Sequence, residues 1–390
     1  MKHGNFRSIS TFTKLVCSLT FLFAVRALST AAEKPDIVFI LADDLGSYDV
    51  SWRGSEIKTP NLDKLAARGA KLEQFYVQPV CSPTRSSLLT GRYPMRYGLQ
   101  VGVIRPWANY GLSLEERTLP QALREVGYTT AICGKWHLGS FDKSYWPNAR
   151  GFDKFYGHLF GALDYYKHDR DGKFDWYRDG EPNHDLGYTT HLVGNEAVRI
   201  LHGQPKNKPL FLYVPFNAVH APLQVPENYK VPYANLLGAR QTYAGMVAAL
   251  DEMVGQIVAA VDETGRRKNT LFIFSSDNGG PRPGVITSNG PFEILINATP
   301  DGGAIRVGDW KLVVNGNKND FDEEKTEDKV AKVNAKKKRD QAKVQIELFD
   351  LENDPYEKLN LAETKPEKVK DLQVRYDVYA RQAVRPKNAK

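Results

Sequence analysis

The chain has 390 residues, of which 42% are hydrophobic and 25% are charged, a composition typical of a globular protein. This length can hold one large domain and a smaller one, and it excludes a single small module. The net charge of +7 falls to +3 without residues 1–32, because those residues contain four basic side chains and no acidic ones. So small a charge argues against a nucleic-acid partner.

The N-terminus has the pattern of a secretory signal peptide. Lys2, Arg7 and Lys14 are followed by an apolar run at 15–25, and small residues at 29–32 offer a cleavage site. The run is short for a membrane span, and we identify no second candidate after it. We therefore expect export to a periplasm, a lysosomal lumen or the cell exterior, with no stable membrane anchor. A retained anchor is the alternative.

Apolar runs and helical segments alternate through the first three quarters of the chain. The runs are rich in Ile, Val and Phe, as expected for parallel strands covered on both faces. Thr59 and Pro60 predict a helix N-cap and first turn, with Gly69 as the stop. This alternation predicts an α/β fold with a mainly parallel sheet flanked by helices. The predicted strands are 36–42, 129–133, 209–215 and 270–275, and the other predicted helices are 119–126 and 241–264.

The C-terminal part differs in character and predicts a smaller α+β domain. Runs at 304–314 and 346–351 predict strands. Residues 315–343 between them are almost entirely charged or polar and predict a surface helix or a disordered loop. We therefore expect three parts, which are a signal peptide at 1–32, an incomplete α/β catalytic domain at 33–291 and a C-terminal subdomain at 292–390.

Polar side chains directly follow the four predicted strands. Ligands of open α/β sheets bind beyond the carboxyl ends of the strands, so we expect these side chains to converge. A lone Asp is usually a cap or turn residue, but several carboxylates in one place need a cation, and oxygen ligands suit Ca²⁺ or Mg²⁺. The residues are Asp43 and Asp44 after the first strand, Lys135 and His137 after the second, His220 after the third, and Asp277 and Asn278 after the fourth.

The segment around Cys81 predicts a helix with a cysteine at its N-terminus. Ser82 is a suitable N-cap for a helix that starts at Pro83 and stops at Gly91. Cys81 would then lie at a helix N-terminus, where backbone N–H groups favour a bound anion. Arg85, one turn later, can bring a planar cation to the same place. An isolated cysteine is more often a small buried hydrophobe, and this context argues against that interpretation.

These motifs resemble the sulfatase family, whose signature Cys-x-Pro-x-Arg stands at 81–85. The resemblance covers 35–290 and resumes at 304–362. The matching motifs are IVFILADDLG at 37–46, CSPTRSSLLTGRY at 81–93, GKWHLG at 134–139 and SDNGG at 276–280. The resemblance implies an alkaline-phosphatase-like fold. It extends to the arylsulfatase B group, the N-acetylgalactosamine-4-sulfatases, on the basis of GFD at 151–153, DYY at 164–166 and VHAPLQVP at 219–226.

The resemblance also implies a mechanism. A formylglycine-generating enzyme oxidises the matching cysteine, Cys81, during export, and one hydroxyl of the hydrated aldehyde attacks the sulfur of a sulfate ester. The second hydroxyl then expels the sulfate. Arg85 supports the nucleophile, Lys135 and His220 bind sulfate oxygens or assist the leaving group, and His137 deprotonates the second hydroxyl. Ca²⁺ is bound by Asp43, Asp44, Cys81, Asp277 and Asn278, and the expected substrate is a sulfated sugar or glycosaminoglycan.

The chain departs from the family pattern after Pro291. The run at 292–297 resembles a stretch that normally lies much further along, so an internal segment with a second active-site lysine and a further strand is missing. No lysine occurs between Asn269 and Val307. Loss of one such cation could lower the rate by about 10²–10³. An alternative transcript, a gene-model error and a degenerate copy would all have this appearance.

Two alternatives to a sulfatase enzyme therefore stay open. One is a catalytically impaired sulfatase-like protein that binds sulfated glycans or a metal without turnover, which the lost lysine favours. The other is a phosphate-ester hydrolase of the same fold. Enzymes of that kind use serine or threonine as nucleophile, so Cys81 argues against it.

Overall fold

The computed structural model describes residues 33–73, 75–281, 286–289, 297–299, 302–307, 309–315, 344–354 and 357–384. The predicted signal peptide at 1–32 lies outside them. Residues 316–343, which are nearly all of the charged or polar stretch at 315–343, also lie outside them. Residues 290–296, where the internal segment is predicted to be missing, do so as well.

A seven-stranded sheet forms the centre of the large lobe, with the order β7-β6-β3-β2-β8-β1-β9. The five strands from β3 to β9 in that order are parallel, and β6 and β7 add an antiparallel edge. The prediction of a mainly parallel sheet is confirmed. The strands are β1 Asp36–Ala42, β2 Thr129–Lys135, β3 Lys154–His158, β6 Tyr177–Arg178, β7 Glu181–Pro182, β8 Leu210–Pro215 and β9 Thr270–Ser276, and β4 Asp169–Arg170 pairs separately with β5 Lys173–Phe174.

Helices cover both faces of this sheet. Alternate residues of β1 point to opposite faces, so Val38 and Ile40 join one core cluster and Phe39 and Leu41 join the other. Helices α1, α4 and α5 pack on the first face, and α2 and α3 pack on the second. The helices are α1 Pro60–Ala67, α2 Cys81–Thr90, α3 Leu119–Glu125, α4 Thr189–Gly203, α5 Gly238–Glu263 and α6 Pro366–Ala380.

The predicted N-cap of α1 is wrong. The side chain of Thr59 makes no capping bond. The carboxylate of Asp251 accepts the backbone N–H groups of Asn61 at 3.1 Å and Leu62 at 2.8 Å. Asp251 lies in α5, which packs against α1, so the cap depends on a tertiary contact that no local sequence pattern reveals.

Helix α5 is the one described helix that is long and apolar enough to cross a membrane. We predicted no second candidate for a membrane span, and by length and composition α5 is one. Tyr243, Val247, Leu250 and Val254 of α5 are fully buried in the core cluster. The apolar character of α5 is therefore explained by its packing against the sheet and α4.

A smaller C-terminal lobe follows, as predicted. Its antiparallel sheet has the order β10-β11-β12-β13, and α6 packs against it. The single strand predicted at 304–314 is wrong, because a turn at Asp309 divides it into two strands of a hairpin. Met95 of the large lobe is buried in the core of the small lobe. The strands are β10 Asn297–Thr299, β11 Gly302–Val307, β12 Trp310–Val314 and β13 Ile346–Asp350.

Candidate active site

The carboxyl ends of two neighbouring strands bring the predicted acidic residues together. Asp43 and Asp44 directly follow β1, and Asp277 directly follows β9. The backbone N–H of Asp277 donates to the carbonyl of Ala42 at 3.0 Å, which continues the pairing of the strands. The backbone N–H of Asp44 lies 3.3 Å from Oδ1 of Asp277. Residues separated by more than 230 positions thus share one pocket because their strands are adjacent and parallel.

Helix α2 delivers Cys81 to the same pocket. The helix begins at Cys81 itself and ends at Thr90, and Gly91 caps it with a φ of 65° in the left-handed region. The predicted cap by Ser82 is wrong, because its hydroxyl instead donates to the carbonyl of His137 at 2.9 Å. The thiol of Cys81 lies 3.4 Å from Oδ1 of Asp43. Cys81 is therefore a buried first residue of a helix, in contact with the acidic cluster.

Two buried cations neutralise two of the carboxylates. Nζ of Lys135 donates to Oδ2 of Asp43 at 2.6 Å. The guanidinium of Arg85 donates from Nε and Nη2 to Oδ2 of Asp277 at 3.0 and 2.8 Å. All four side chains are fully buried. Buried charges need such partners, and the third carboxylate, Asp44, leaves the group with an excess of negative charge.

This environment disfavours further negative charge. Burial, reinforced by the charge of Asp43, raises the pKa of Asp277 although Arg85 opposes the shift. Burial and the charge of Asp277 raise the pKa of the Cys81 thiol well above its ordinary value. The surrounding carboxylates therefore disfavour a thiolate at this position.

The cluster has the donors that a hard divalent cation needs. Ligand atoms of Asp43, Asp44, Cys81 and Asp277 all lie within 4.8 Å of one another. The amide of Asn278 donates to Oδ1 of Asp44, and its own Oδ1 is buried without a hydrogen-bond partner among the described residues. An orphaned amide oxygen beside three carboxylates matches the oxygen ligands that Ca²⁺ prefers. The residues therefore fit a calcium site.

His220 lies at the more open side of the pocket. Its Nδ1 donates to the carbonyl of Ala221 at 2.6 Å, and its Nε2 lies 3.6 Å from Oδ2 of Asp44. The side chain is 27% exposed, whereas those of Lys135 and Arg85 are inaccessible. His220 is thus the predicted site residue that is positioned to meet a molecule arriving from solvent.

The ring of His137 is held in one tautomer. Its Nε2 lies 3.0 Å from the carbonyl of Ile104, and because a carbonyl only accepts, Nε2 carries the hydrogen. Its Nδ1 is buried without a partner among the described residues and is free to accept a proton. Burial and the positive charges of Lys135 and Arg85 lower the pKa of His137 well below its usual range. The ring is therefore neutral at pH 7.

Sequence reasoning missed the groups that orient these side chains. The hydroxyl of Ser82 bridges the carbonyl of His137 and the backbone N–H of Ile104, and Ile104 orients the imidazole. The hydroxyl of Tyr165 lies 2.8 Å from the carbonyl of His220. Tyr165 belongs to the family motif at 164–166, and that motif could have identified it from the sequence. No sequence pattern could have identified the Ile104 carbonyl, because every residue has a backbone carbonyl.

Glycine permits the close strand approach that places Lys135. A Cβ on Gly134, whose φ is 127°, would lie 2.0 Å from the carbonyl oxygen of Pro215. A Cβ on Gly161 would lie 2.3 Å from Cε1 of His137. Both positions exclude a side chain, so Gly134 of the GKWHLG motif and Gly161 outside it both set the backbone spacing around the site.

The family comparison agrees with the site. The model of the sulfatase family matches residues 35–332, and the chain belongs to this family. The chain is 44% identical to arylsulfatase J of Mus musculus, over 72% of this chain and 48% of that protein. It is 34% identical to N-acetylgalactosamine-6-sulfatase of Mus musculus, over 73% and 59% respectively. The particular resemblance to the arylsulfatase B group stays a prediction.

A solved structure supports the same fold over nearly the whole length. The crystal structure of Ps i-CgsB is 26% identical and superposes with a TM-score of 0.75, covering 91% of this chain and 94% of that one. The predicted alkaline-phosphatase-like fold is confirmed. The chain spans about half the length of the curated relatives it matches.

Proposed function

We propose that this chain is an exported sulfatase that hydrolyses sulfate esters with a nucleophile derived from Cys81. The observation that carries the proposal is the position of Cys81. It is the first residue of α2 and lies within 4.8 Å of the ligand atoms of Asp43, Asp44 and Asp277. A nucleophile beside a cation site at a helix N-terminus is suited to attack on an anionic ester.

The environment of Cys81 supports its modification. The raised pKa of the Cys81 thiol argues against a thiolate nucleophile. Conversion to formylglycine by a separate enzyme during export replaces the thiol with a hydrated aldehyde, whose hydroxyls can accept hydrogen bonds from neighbouring cations. This conversion requires that residues 1–32 act as the export signal.

Calcium is the cation that the donor set fits. Asp43, Asp44, Asp277 and Asn278 would hold it, together with the modified residue 81. When bound, Ca²⁺ supplies positive charge that neutralises a sulfate oxygen and lowers the pKa of a nearby hydroxyl.

The remaining residues have roles that their contacts allow. Arg85 is anchored on Asp277 and orients the nucleophile. Lys135, anchored on Asp43, contributes positive charge for the sulfate group. His137 accepts a proton at Nδ1, because Nε2 is bonded to Ile104. His220 is partly exposed and binds the incoming sulfate or protonates the leaving oxygen.

A sulfated carbohydrate is the substrate class we favour. One relative carries the name N-acetylgalactosamine-6-sulfatase, which refers to a sulfated sugar. Ps i-CgsB has been crystallised with an oligosaccharide, k-i-k-neocarrahexaose. A partly exposed histidine and two anchored cations suit an anionic sulfate group on a neutral sugar ring.

Turnover of an aryl sulfate by the exported protein tests the proposal. We expect measurable hydrolysis in the presence of Ca²⁺ and none above background for Cys81→Ala. Mass spectrometry of the peptide containing residue 81 should show a mass below that of cysteine, consistent with formylglycine. Equal rates for both proteins would overturn the proposal. Formylglycine without turnover would instead favour the catalytically impaired form that binds sulfated glycans.

A further inference from the structure

A cavity of about 330 Å³ lies between the two lobes. Tyr93 and Met95 of the large lobe form one side, and Ile305 and Arg306 of β11 with Tyr379 of α6 form the other. This volume is within the range of about 300–1,000 Å³ that is usual for ligand pockets. The cavity is therefore large enough for a small ring-shaped group.

The cavity has an apolar floor and an aromatic rim. Met95, Ile305 and Tyr376 of its lining are at most 8% exposed. At the rim, Tyr93 is 46% exposed, and its ring meets that of Tyr379 edge to face at 5.9 Å. Tyrosine rings that are at least partly exposed offer flat apolar faces with polar tips, which suit the C–H faces and hydroxyls of a sugar ring.

Among the described residues that line the cavity, the charged ones are both arginines. Arg375 has a side chain that is 54% exposed and is paired with Asp371 of the same helix at 3.1 Å. Arg306 stacks on the ring of Tyr76 at 5.1 Å and also contacts Asp309. An exposed ion pair within a helix is weak, so Arg375 can exchange Asp371 for an anionic ligand at little cost. Guanidinium groups match planar or tetrahedral oxyanions with paired N–H donors.

The cavity adjoins the segment that leads to the nucleophile. Gln78 lines the cavity and stands three residues before Cys81. The carbonyl of Gln78 accepts the hydroxyl of Thr84 in α2 at 3.0 Å. A saccharide chain bound in the cavity would therefore lie beside the loop that enters the active site.

We infer that this cavity is an accessory subsite for an anionic saccharide unit of the substrate. The inference rests on the proposed function, because it assumes that the substrate is a sulfated glycan. Tyr93 and Tyr379 contact the sugar ring, and Arg375 binds a sulfate group that is not the one cleaved. Longer substrates thus gain affinity that a single sulfated sugar does not.

Binding to the full chain carrying Cys81→Ala tests the inference without turnover. The probes are a sulfated galactan hexasaccharide, the same hexasaccharide after desulfation, and a sulfated monosaccharide, each titrated by calorimetry. We expect Arg375→Gln to weaken binding of the sulfated hexasaccharide about tenfold and to leave the monosaccharide unaffected. Val378→Trp should have a similar effect, because Val378 lines the cavity, is 51% exposed, and can change without disturbing the core.

Arg381→Gln is the matched control. Arg381 directly follows α6, is exposed, and does not line the cavity, so the same loss of charge should leave all affinities unchanged. Unaltered hexasaccharide binding by both cavity variants would overturn the inference, as would equal binding of the desulfated probe. Aryl-sulfate turnover separates the two proposals. Turnover with unaltered binding refutes only the subsite, and altered binding without turnover refutes only the catalytic proposal.

Discussion

The two neighbouring strands β1 and β9 supply the same kind of ligand from different surroundings. In β1 every side chain except that of Ile37 is buried, and the strand pairs with β8 on one side and β9 on the other. Among the described strands β9 pairs with β1 alone, its residues are partly exposed, and Leu271 is 50% exposed. One half of the acidic cluster thus rests on the centre of the sheet and the other half on an edge.

An exposed apolar edge is unusual for a strand of a doubly covered parallel sheet. The comparison teaches that strand pairing with β1 is enough to position Asp277, whereas the packing that normally stabilises such a strand is reduced.

The largest effect should come from truncating matched isoleucines in the two strands. Ile40 of β1 is fully buried, so Ile40→Ala should lower the free energy of unfolding by about 2–5 kcal/mol. Ile273 of β9 is partly exposed, and Ile273→Ala should cost only ~1 kcal/mol. Urea denaturation measures both. Equal losses would mean that β9 is as well covered as β1.

Calcium should stabilise the protein through both strands. At a concentration 100 times its Kd, a bound ion adds about 2.7 kcal/mol to the free energy of unfolding. We expect chelation to lower Tm accordingly, and Asp44→Asn on the β1 side and Asn278→Ala on the β9 side each to reduce the response to Ca²⁺. If Ca²⁺ raised the Tm of Asn278→Ala as much as that of the unaltered protein, Asn278 on the edge-strand side would not be a ligand.

The free energy of unfolding should depend on pH through a residue at the opposite side of the sheet, beyond β3. Burial raises the pKa of Asp175 to about 7, although its carboxylate accepts the backbone N–H groups of Leu159 and Phe160. The folded state therefore binds this proton more tightly than the unfolded state. The stability that this proton contributes is fully present below pH ~4 and is lost as the pH rises through about 7. The loss is on the order of 1 kcal/mol for each pH unit between these two values.

Asp175→Asn should remove this pH dependence, even if the substitution also changes the free energy of unfolding by a constant amount at every pH. The measurement is the free energy of unfolding of both proteins from pH 4 to 8. Parallel curves would show that Asp175 titrates normally and that this side of the sheet is wetter than its burial indicates.

The smallest effect should come from the outer surface of β9. Leu271→Lys should change the free energy of unfolding by less than ~0.5 kcal/mol, because the side chain is half exposed. The added charge should nevertheless reduce aggregation, since exposed apolar edge strands pair with other chains. Light scattering at high protein concentration measures this. Substantial destabilisation would indicate that Leu271 packs against a covering element.

Much of the site could be predicted from the sequence because its signals are local. The runs that became β1, β2, β8 and β9 were located within two residues at each end, and the polar residues after them do converge. Periodicity and apolar composition report strand burial directly. The catalytic roles assigned to Arg85, Lys135, His137 and His220 rest on family resemblance and stay predictions.

Helix ends and side-chain orientations were beyond the sequence. The caps expected from Thr59 and Ser82 are wrong, because Asp251 and a backbone bridge to His137 take those hydrogen bonds. Such partners are distant along the chain, and a local pattern cannot identify them. The division of the predicted strand at 304–314 by a turn at Asp309 was missed although Gly308 and Asp309 are a local turn signal in the sequence.

The sequence by itself determined the class of fold, the acidic cluster and the cysteine beside it, because strand periodicity and a contiguous motif encode them. Only the tertiary structure decided which cations neutralise which carboxylates, which tautomer His137 adopts, and that a cavity opens between the lobes. Those properties depend on distances between residues far apart in the chain. Packing sets such distances, and composition does not.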